Sequence, residues 1–241
     1  MQSHLIRFIK DFLYRRGYKI NKVSTLALLH EDYLKAVSGY IRKNPVLFDV
    51  GANVGQTVSK FKVVFPTSEI HSFEPSKVCF DVLKDSHKST HNLVLNNVAV
   101  GSEKGSLDFN EYSWSSLNSL LKRSFTKSEL IDSYKVDVIT IDEYCKSNSI
   151  FKIDLLKTDT EGYELQVLKG ASQMMDENRI QFVYVEVFFY ENYIGQSSFG
   201  DVYNYLSGKG FNFVRFYAFE YTGEGLASRT DALFINKNFI N

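Results

Sequence analysis

From Asn44-Pro45 onward, the chain alternates short apolar segments with segments of helical periodicity. The first apolar segment, Val46–Val50, ends at Gly51, which predicts a buried strand followed by a tight turn. Strands that alternate with helices of this length form a parallel sheet covered by helices on both faces. The strand-like segments near the C-terminus follow each other closely, so we expect the last strand to enter the sheet antiparallel.

The same periodicities predict the remaining elements. We expect strands at 69–73, 93–100, 155–158, 181–188, 211–216 and 231–235, and helices at 55–65, 76–86, from the end of strand 155–158 to about 175, and at 199–206. Segment 101–150 predicts two strand pieces around a longer loop, the second in the alternating run 135–141. We therefore expect one α/β domain over residues 44–241.

The pattern in residues 1–43 predicts a helical extension ahead of this domain. Apolar residues recur at near-helical spacing in 5–13, and a second helical stretch is expected in 24–42. The first stretch fits a helix packed on the main domain, which its stripe favours, or a basic amphipathic helix in peripheral contact with a membrane. Charges interrupt its apolar residues, unlike a secretory signal, and no apolar run reaches the roughly 18 residues that span a bilayer.

Charge and cysteine content narrow the class of protein. The formal net charge is zero, which argues against a protein that binds nucleic acid through a broad basic surface. The two cysteines, Cys79 and Cys145, match no metal or redox spacing, and the histidines form no ligand set. We expect a cytoplasmic protein with reduced thiols and name no metal ligand.

The loop after the first strand carries Asp49, Gly51, Asn53 and Gly55 at alternate positions. Glycine permits a sharp turn and close approach of backbone, and asparagine tolerates positive φ best after glycine. The spacing lacks the glycines of the dinucleotide fingerprint G-x-G-x-x-G. A plain strand-to-helix turn is one interpretation, and a site for a nucleoside with a charged amino-acid tail is the other.

Glu74 ends the second predicted strand, 19 residues after Gly55. An acid in this place can accept hydrogen bonds from both ribose hydroxyls of a nucleoside. A solvent-facing glutamate at a strand end is the alternative. Combined with the glycine loop, the ribose interpretation is favoured.

A second constellation, from Lys157 to Gly162, follows the predicted strand 155–158. Asp159 and Glu161 could orient a substrate hydroxyl, accept its proton or bind a divalent metal. Thr158 and Glu161 also have capping-box spacing, so Glu161 could instead cap the next helix. Asp159 is our first choice for the catalytic carboxylate and Glu161 the second. Lys157 is expected to pair with these acids.

Glu186 stands within the apolar strand 181–188. An unpaired carboxylate is costly to bury, so it should meet a cation or point into a polar site near the substrate.

Six segments occur in a characteristic order: 48–55 (FDVGANVG), 72–75 (SFEP), 96–101 (NNVAVG), 138–143 (VITIDE), 156–164 (LKTDTEGYE) and 168–171 (LKGA). In this order they resemble the FkbM family of methyltransferases, and the resemblance covers roughly residues 45–236. The resemblance implies a Rossmann-like class I methyltransferase fold with a seven-stranded, mostly parallel sheet whose last strand is antiparallel. It also implies S-adenosylmethionine as methyl donor and O-methylation of a hydroxyl on a sugar, glycan or natural product.

The resemblance also implies site residues by position. Asp49, Gly51, Asn53 and Gly55 would line the methionine end of the cofactor, Glu74 would bind the ribose, Asn97 and Val98 would border the adenine, and Asp159 and Glu161 would face the methyl-transfer site. The family usually has aliphatic residues where Thr158 and Thr160 stand, so the local polarity differs here.

Two other functions stay open on sequence alone. A NAD(P)-dependent oxidoreductase shares the sheet and the ribose acid, and a catalytically inert glycan-binding module could use the same fold. The expected partner is a small-molecule or glycan acceptor, whose pocket we expect to involve the regions 110–126 and 189–198, including Phe189, Tyr190 and Tyr193.

Overall fold

The structure is a computed structural model that describes residues 9–10, 12–17, 28, 30–125 and 128–240. Most of the predicted N-terminal amphipathic stretch lies outside these residues. Residues 9–10 and 12–14 are helical, and the side chains of Ile9 and Phe12 are exposed. Within the described part of the chain, no helix combines the length and apolarity needed to cross a membrane.

Eleven strands and seven α-helices have both ends within the described residues. The strands are β1 (Val46–Val50), β2 (Glu69–Phe73), β3 (Leu93–Asn96), β4 (Ala99–Val100), β5 (Gly105–Tyr112), β6 (Leu130–Ile139), β7 (Ile153–Thr158), β8 (Ile180–Phe188), β9 (Phe211–Phe216), β10 (Glu220–Tyr221) and β11 (Ala227–Asn236). The helices are α1 (Tyr33–Ser38), α2 (Gln56–Val64), α3 (Lys77–Ser86), α4 (Ile141–Ser147), α5 (Glu164–Lys169), α6 (Ser172–Asp176) and α7 (Phe199–Gly208).

The main sheet has eight strands in the order β10-β11-β8-β7-β1-β2-β3, with β9 on β11. Strands β7, β1, β2 and β3 pair in parallel with their neighbours, and β8 is parallel to β7. The last strand, β11, is antiparallel to both β8 and β9, between which it inserts. The two-residue β10 is the only addition to the predicted seven strands in this sheet's described part, so the predicted class I methyltransferase fold is confirmed.

The predicted strand 93–100 is wrong as one element. The chain leaves the main sheet after Asn96 and resumes at Ala99 in a second sheet of order β4-β6-β5. The side-chain amide of Asn97 donates to the carbonyl oxygens of Glu74 (2.9 Å) and Pro75 (3.2 Å), which anchors the turn between the sheets. The second sheet comprises the strand pieces expected in 101–150, and β6 ends at Ile139, where Thr140 caps α4.

The helix expected between residue 158 and about 175 is two short helices, α5 and α6. Helix α5 begins only at Glu164 because Glu161 and Gly162 have positive φ values of 54° and 100°. Left-handed residues interrupt a right-handed helix, so residues 159–163 form a loop at the end of β7. This loop brings its side chains to the carboxyl edge of the sheet.

The core lies on both faces of the main sheet, because side chains alternate along each strand. Phe48 and Val50 belong to one buried cluster, and Leu47 belongs to the other. Leu34, Ala36 and Val37 of α1 pack into the second cluster, so the end of the predicted N-terminal extension shares the core of the sheet. Helix α1 is shorter than the expected stretch 24–42, of which 24–27 and 29 lie outside the described residues.

Candidate active site

The glycine loop follows β1 and turns tightly before α2. The N–H groups of Gly51 and Ala52 both donate to the carbonyl oxygen of Phe73, at 3.0 and 3.1 Å. Gly51, Asn53 and Gly55 all have positive φ, at 79°, 48° and 96°, as the sequence predicts for Asn53. A Cβ on Gly51 would overlap the backbone carbonyl of Asp159, so only glycine lets these two loops meet.

Glu74 is buried at the end of β2, and backbone groups hold its carboxylate. Oε2 accepts the N–H of Asn53 and Oε1 accepts the N–H of Ser76, both at 2.8 Å. Burial raises the pKa of Glu74 to about 7, against the two hydrogen bonds, which favour the charged form. Each oxygen keeps a second lone pair, so the carboxylate can accept further donors from a ligand.

Lys157 links the glycine loop to the carboxylate that follows β7. Its Nζ lies 3.2 Å from Oδ1 of Asp49 and 3.2 Å from Oδ2 of Asp159, which confirms the predicted pairing for Asp159. The expected pairing with Glu161 is wrong, because Glu161 pairs with Arg229. Burial alone would lower the pKa of Lys157, but the two carboxylates reverse this and hold the pKa above its ordinary value. Burial raises the pKa of Asp49, while Lys157 opposes that rise. Asp49 thus acts on the site through its ion pair with Lys157.

Glu161 is held by two side chains that come from distant parts of the chain. Nη1 of Arg229 lies 3.0 Å from Oε1 and 3.1 Å from Oε2, and the hydroxyl of Tyr193 donates to Oε2 at 2.8 Å. Burial raises the pKa of Glu161 to about 7, and Arg229 limits the rise. The capping interpretation of Glu161 is wrong, since its carboxylate faces these groups and α5 begins at Glu164.

Glu164 organises the loop that carries Glu161. Its Oε1 accepts from the N–H of Thr160 (2.7 Å), the hydroxyl of Thr160 (3.1 Å) and the N–H of Gly162 (3.1 Å). The hydroxyl of Thr160, where the family usually has an aliphatic residue, is therefore satisfied within the loop. Burial raises the pKa of Glu164 to about 8.

Glu186 meets a cation, as the sequence predicts. Its Oε1 lies 3.1 Å from Nη1 of Arg229, and burial, reinforced by Glu161, raises its pKa. Carboxylate oxygens of Asp159, Glu161 and Glu186 lie within 4.8 Å of one another, a spacing that could hold a metal ion. Nη1 of Arg229 already contacts two of these three carboxylates, so the protein supplies its own cation to the cluster.

Two cavities meet at Glu161. The first cavity, of about 310 Å³, lies between the glycine loop, the end of β2, β4 and the loop after β7. The second cavity, of about 410 Å³, is lined by residues from the 117–125 region, the 190–193 region and the β10–β11 hairpin. Glu161 is the residue that lines both. A ligand in either cavity can therefore contact Glu161.

The structure brings most of the predicted site residues to the first cavity. Its lining includes Gly51, Asn53, Glu74, Val98, Asp159 and Glu161. Three others stand behind the lining. Asp49 pairs with Lys157, Asn97 anchors the turn after β3, and Gly55 lets α2 approach Leu83 and His87, which a Cβ would overlap. The predicted contact regions 110–126 and 189–198 contribute Arg123, Phe125, Tyr190 and Tyr193 to the second cavity.

Arg229 is a site residue that the sequence interpretation missed. It stands near the start of β11, diagonally across from Glu186, because Asp231 is the residue opposite Glu186 in the register. The requirement that Glu186 meet a cation was itself the signal. Pairing β8 with an antiparallel last strand would have placed Arg229 within reach.

Comparison with known proteins supports the geometry. Residues 49–213, more than half of the chain, match the methyltransferase FkbM domain. Hexuronic acid methyltransferase AglP of Haloferax volcanii is 28% identical over 158 residues, which cover 65% of this chain and 62% of that protein. The 2-O-methyltransferase NoeI of Sinorhizobium fredii is 24% identical, covering 64% of this chain and 68% of that protein. Methyltransferase sdnD of Sordaria araneosa is 30% identical, covering 65% and 72% respectively.

Solved structures show the fold alone at such low identity. An rRNA methylase from Streptococcus thermophilus superposes with a TM-score of 0.50 at 9% identity, covering 90% of this chain and 99% of that chain. The METTL16 MTase domain gives a TM-score of 0.50 at 12% identity, covering 93% and 75% respectively. The match to the family domain excludes the oxidoreductase interpretation in favour of a methyltransferase. The chain belongs to the FkbM family of methyltransferases.

Proposed function

We propose that this protein transfers a methyl group from S-adenosylmethionine to a hydroxyl oxygen of a sugar or a related natural product. The observation that carries the proposal is the pair of cavities that share Glu161. One cavity adjoins the glycine loop and Glu74, as a nucleoside cofactor requires, and the other is rimmed by tyrosines and charged groups. A carboxylate common to both stands where a methyl group and its acceptor would meet.

The residues of the first cavity fit the cofactor chemically. Glu74 has acceptor capacity for ribose hydroxyls, and the left-handed loop at Gly51 and Asn53 leaves room for the amino-acid end. Val98 offers apolar surface at the far side, where the resemblance suggests adenine. When bound, the cofactor would supply a reactive sulfonium methyl group, so the protein mainly has to position the acceptor.

Glu161 is the better candidate for the proton acceptor, ahead of Asp159. Glu161 contacts both cavities, and its pKa of about 7 suits proton exchange near neutral pH. Asp159 lines the first cavity and pairs with Lys157, which fits a role in orienting groups there. Arg229 and Tyr193 keep the Glu161 carboxylate in place, and Arg229 would balance its charge before the proton arrives.

The names of two relatives support this acceptor class. One is a hexuronic acid methyltransferase and another a 2-O-methyltransferase. This chain spans less than two thirds of the length of the first of them. Exposed Tyr190 and Tyr221 at the second cavity suit stacking on sugar rings.

The test has two parts. Isothermal calorimetry should detect binding of S-adenosylhomocysteine, with no comparable heat for NAD. Mass spectrometry of a glycoside panel incubated with protein and S-adenosylmethionine should then find products heavier by one methylene. A protein that binds no nucleoside cofactor would contradict the proposal and favour an inert glycan-binding module.

A further inference from the structure

Two arginines line the second cavity, and their surroundings differ: one is paired with carboxylates and the other lies against aromatic rings. Arg229 contacts three carboxylates: Nη1 lies 3.0 Å from Glu161 and 3.1 Å from Glu186, and Nε lies 2.9 Å from Glu220. Arg123 has no ion pair with any carboxylate in the described residues. The described residues therefore supply carboxylate partners for the charge of Arg229 but none for that of Arg123.

Aromatic groups hold the guanidinium of Arg123 in place. Its Cζ lies 4.9 Å from the ring centroid of Phe125 and 5.2 Å from that of Tyr193, and Nη1 donates to the Tyr193 hydroxyl at 3.2 Å. The backbone N–H of Arg123 also donates to the hydroxyl of Tyr112 at 2.9 Å. Both the backbone and the head group are thus fixed before any ligand arrives, which lowers the entropic cost of binding.

The same arginine has an unmet polar group. Nε of Arg123 is buried and has no hydrogen-bond partner among the described residues. Burying a charged donor without a partner destabilises a protein, so such groups normally pair with an acid or with a ligand. Planar guanidinium groups pair best with carboxylates and similar oxyanions. Arg123 lines the second cavity and has no carboxylate partner among the described residues, so its guanidinium can still pair with an oxyanion that enters this cavity.

Arg123 also stands beside the candidate proton acceptor. The Tyr193 hydroxyl accepts from Arg123 and donates to Glu161 at 2.8 Å, so one hydroxyl group joins the two residues. A single small molecule could therefore place an acid group on Arg123 and another of its groups beside Glu161. The rest of that molecule would occupy the second cavity, beside Tyr190 and Tyr221.

We propose that Arg123 binds a carboxylate of the acceptor, so that the protein selects an acidic sugar, of the uronic acid kind, over its neutral counterpart. This inference rests on the proposed function, because it assigns the second cavity to the acceptor. Arg123 then acts as a specificity determinant: its ion pair orients the sugar so that a hydroxyl faces Glu161. Arg229, already neutralised by three carboxylates, positions Glu161 and does not select the acceptor's charge.

The experiment compares glucuronic acid, its methyl ester and glucose as ligands of the protein loaded with S-adenosylhomocysteine. Calorimetry at constant ionic strength should show the acid binding at least about tenfold more tightly than the ester, the size expected for a hydrogen bond to a charged group. In Arg123→Gln this ratio should fall to about one, with affinity for S-adenosylhomocysteine unchanged. Arg123→Lys should keep part of the preference, since it keeps the charge but loses the planar fork.

Arg179→Gln is the matched control, because Arg179 lies outside both cavities and pairs with the exposed Glu177. It should keep the full preference for the acid. Equal affinity for acid and ester in the unaltered protein, no binding of either, or a preference that survives Arg123→Gln would each overturn the assignment. Absence of S-adenosylhomocysteine binding in the first titration would instead contradict the proposed function.

Discussion

The two cavities that share Glu161 are built in different ways. In the first cavity, buried Glu74 is held by backbone N–H groups of Asn53 and Ser76, and the loop geometry comes from glycine and asparagine close together in sequence. In the second cavity, buried Glu161 is held by side chains of Tyr193 and Arg229, which are 32 and 68 residues away. Burial raises the pKa of both glutamates to about 7.

This difference separates a cavity shaped by the backbone from a cavity shaped by side chains. Backbone donors cannot be changed by substitution, so the first cavity keeps its form as long as its glycines remain. Side-chain donors can each be exchanged, so the second cavity can change its ligand while the fold stays the same. Three substitutions, from the largest expected effect to the smallest, test whether the cavities are separable in this way.

Glu161→Gln should abolish function at the second cavity and leave the first intact. An amide cannot accept the acceptor's proton, so we expect turnover to fall by about two to four orders of magnitude. Steady-state methyl transfer measures this, and calorimetry should show unchanged affinity for S-adenosylhomocysteine. In the unaltered protein, turnover should rise with pH through about 7, because only the ionised Glu161 accepts a proton.

The control is Glu143→Gln, which removes an exposed acid outside both cavities. It should keep both turnover and the pH profile. Asp159→Asn should lose less turnover than Glu161→Gln while still binding cofactor. The reverse order would restore Asp159 as the proton acceptor and contradict the role given to the shared carboxylate.

Gly51→Ala should damage the first cavity through its backbone. The added Cβ would overlap the carbonyl of Asp159, and alanine at a φ of 79° is strained. The left-handed conformation alone costs roughly 1–2 kcal/mol, and the displaced loop adds to this. Chemical denaturation should show the lower stability, and calorimetry weaker binding of S-adenosylhomocysteine.

Gly105→Ala is the comparison, because a Cβ there meets no atom within 4 Å and its φ is ordinary. It should leave stability and cofactor affinity nearly unchanged. A Gly51→Ala protein as stable as the Gly105→Ala protein would show that the contact between the two loops is not a constraint.

Glu74→Gln should weaken the first cavity more gently. The side-chain oxygen can still accept one backbone N–H, but the amide nitrogen would face the other, and one ribose acceptor is lost. We expect affinity for S-adenosylhomocysteine to fall by about tenfold, the effect of one hydrogen bond to a charged group. Unaltered affinity in calorimetry would remove the ribose role from Glu74.

The first cavity was largely predictable from the sequence, whereas for the second the sequence predicted contributing regions but not the two arginines. Gly51, Asn53 and Glu74 lie within two short segments, so local sequence patterns are enough to recognise them. Arg229 and Arg123 reach Glu161 and Tyr193 only through the strand register and the bridge between Arg123 and Tyr193. Periodicity predicts which residues form a strand, but not which strand lies beside it.

The fold predictions failed where a local signal was weak against a long-range one. The apolar run 93–100 fits one strand by composition, yet the Asn97 amide ties its middle to Glu74 and Pro75 and splits it between two sheets. The start of the helix after β7 was likewise predicted too close to the strand. Residues 161 and 162 have positive φ, which keeps this segment out of the helix and leaves Glu161 in a loop beside the cavities. Both deviations occur at the candidate site.

The insertion of β11 between β8 and β9 sets an order of events during synthesis. Strand β9 emerges from the ribosome before its partner exists and has to wait for residues 227–236 to separate it from β8. Until then, Glu161 and Glu186 lack the arginine that neutralises them. The proposed proton acceptor therefore gains its arginine partner only when β11 pairs with β8.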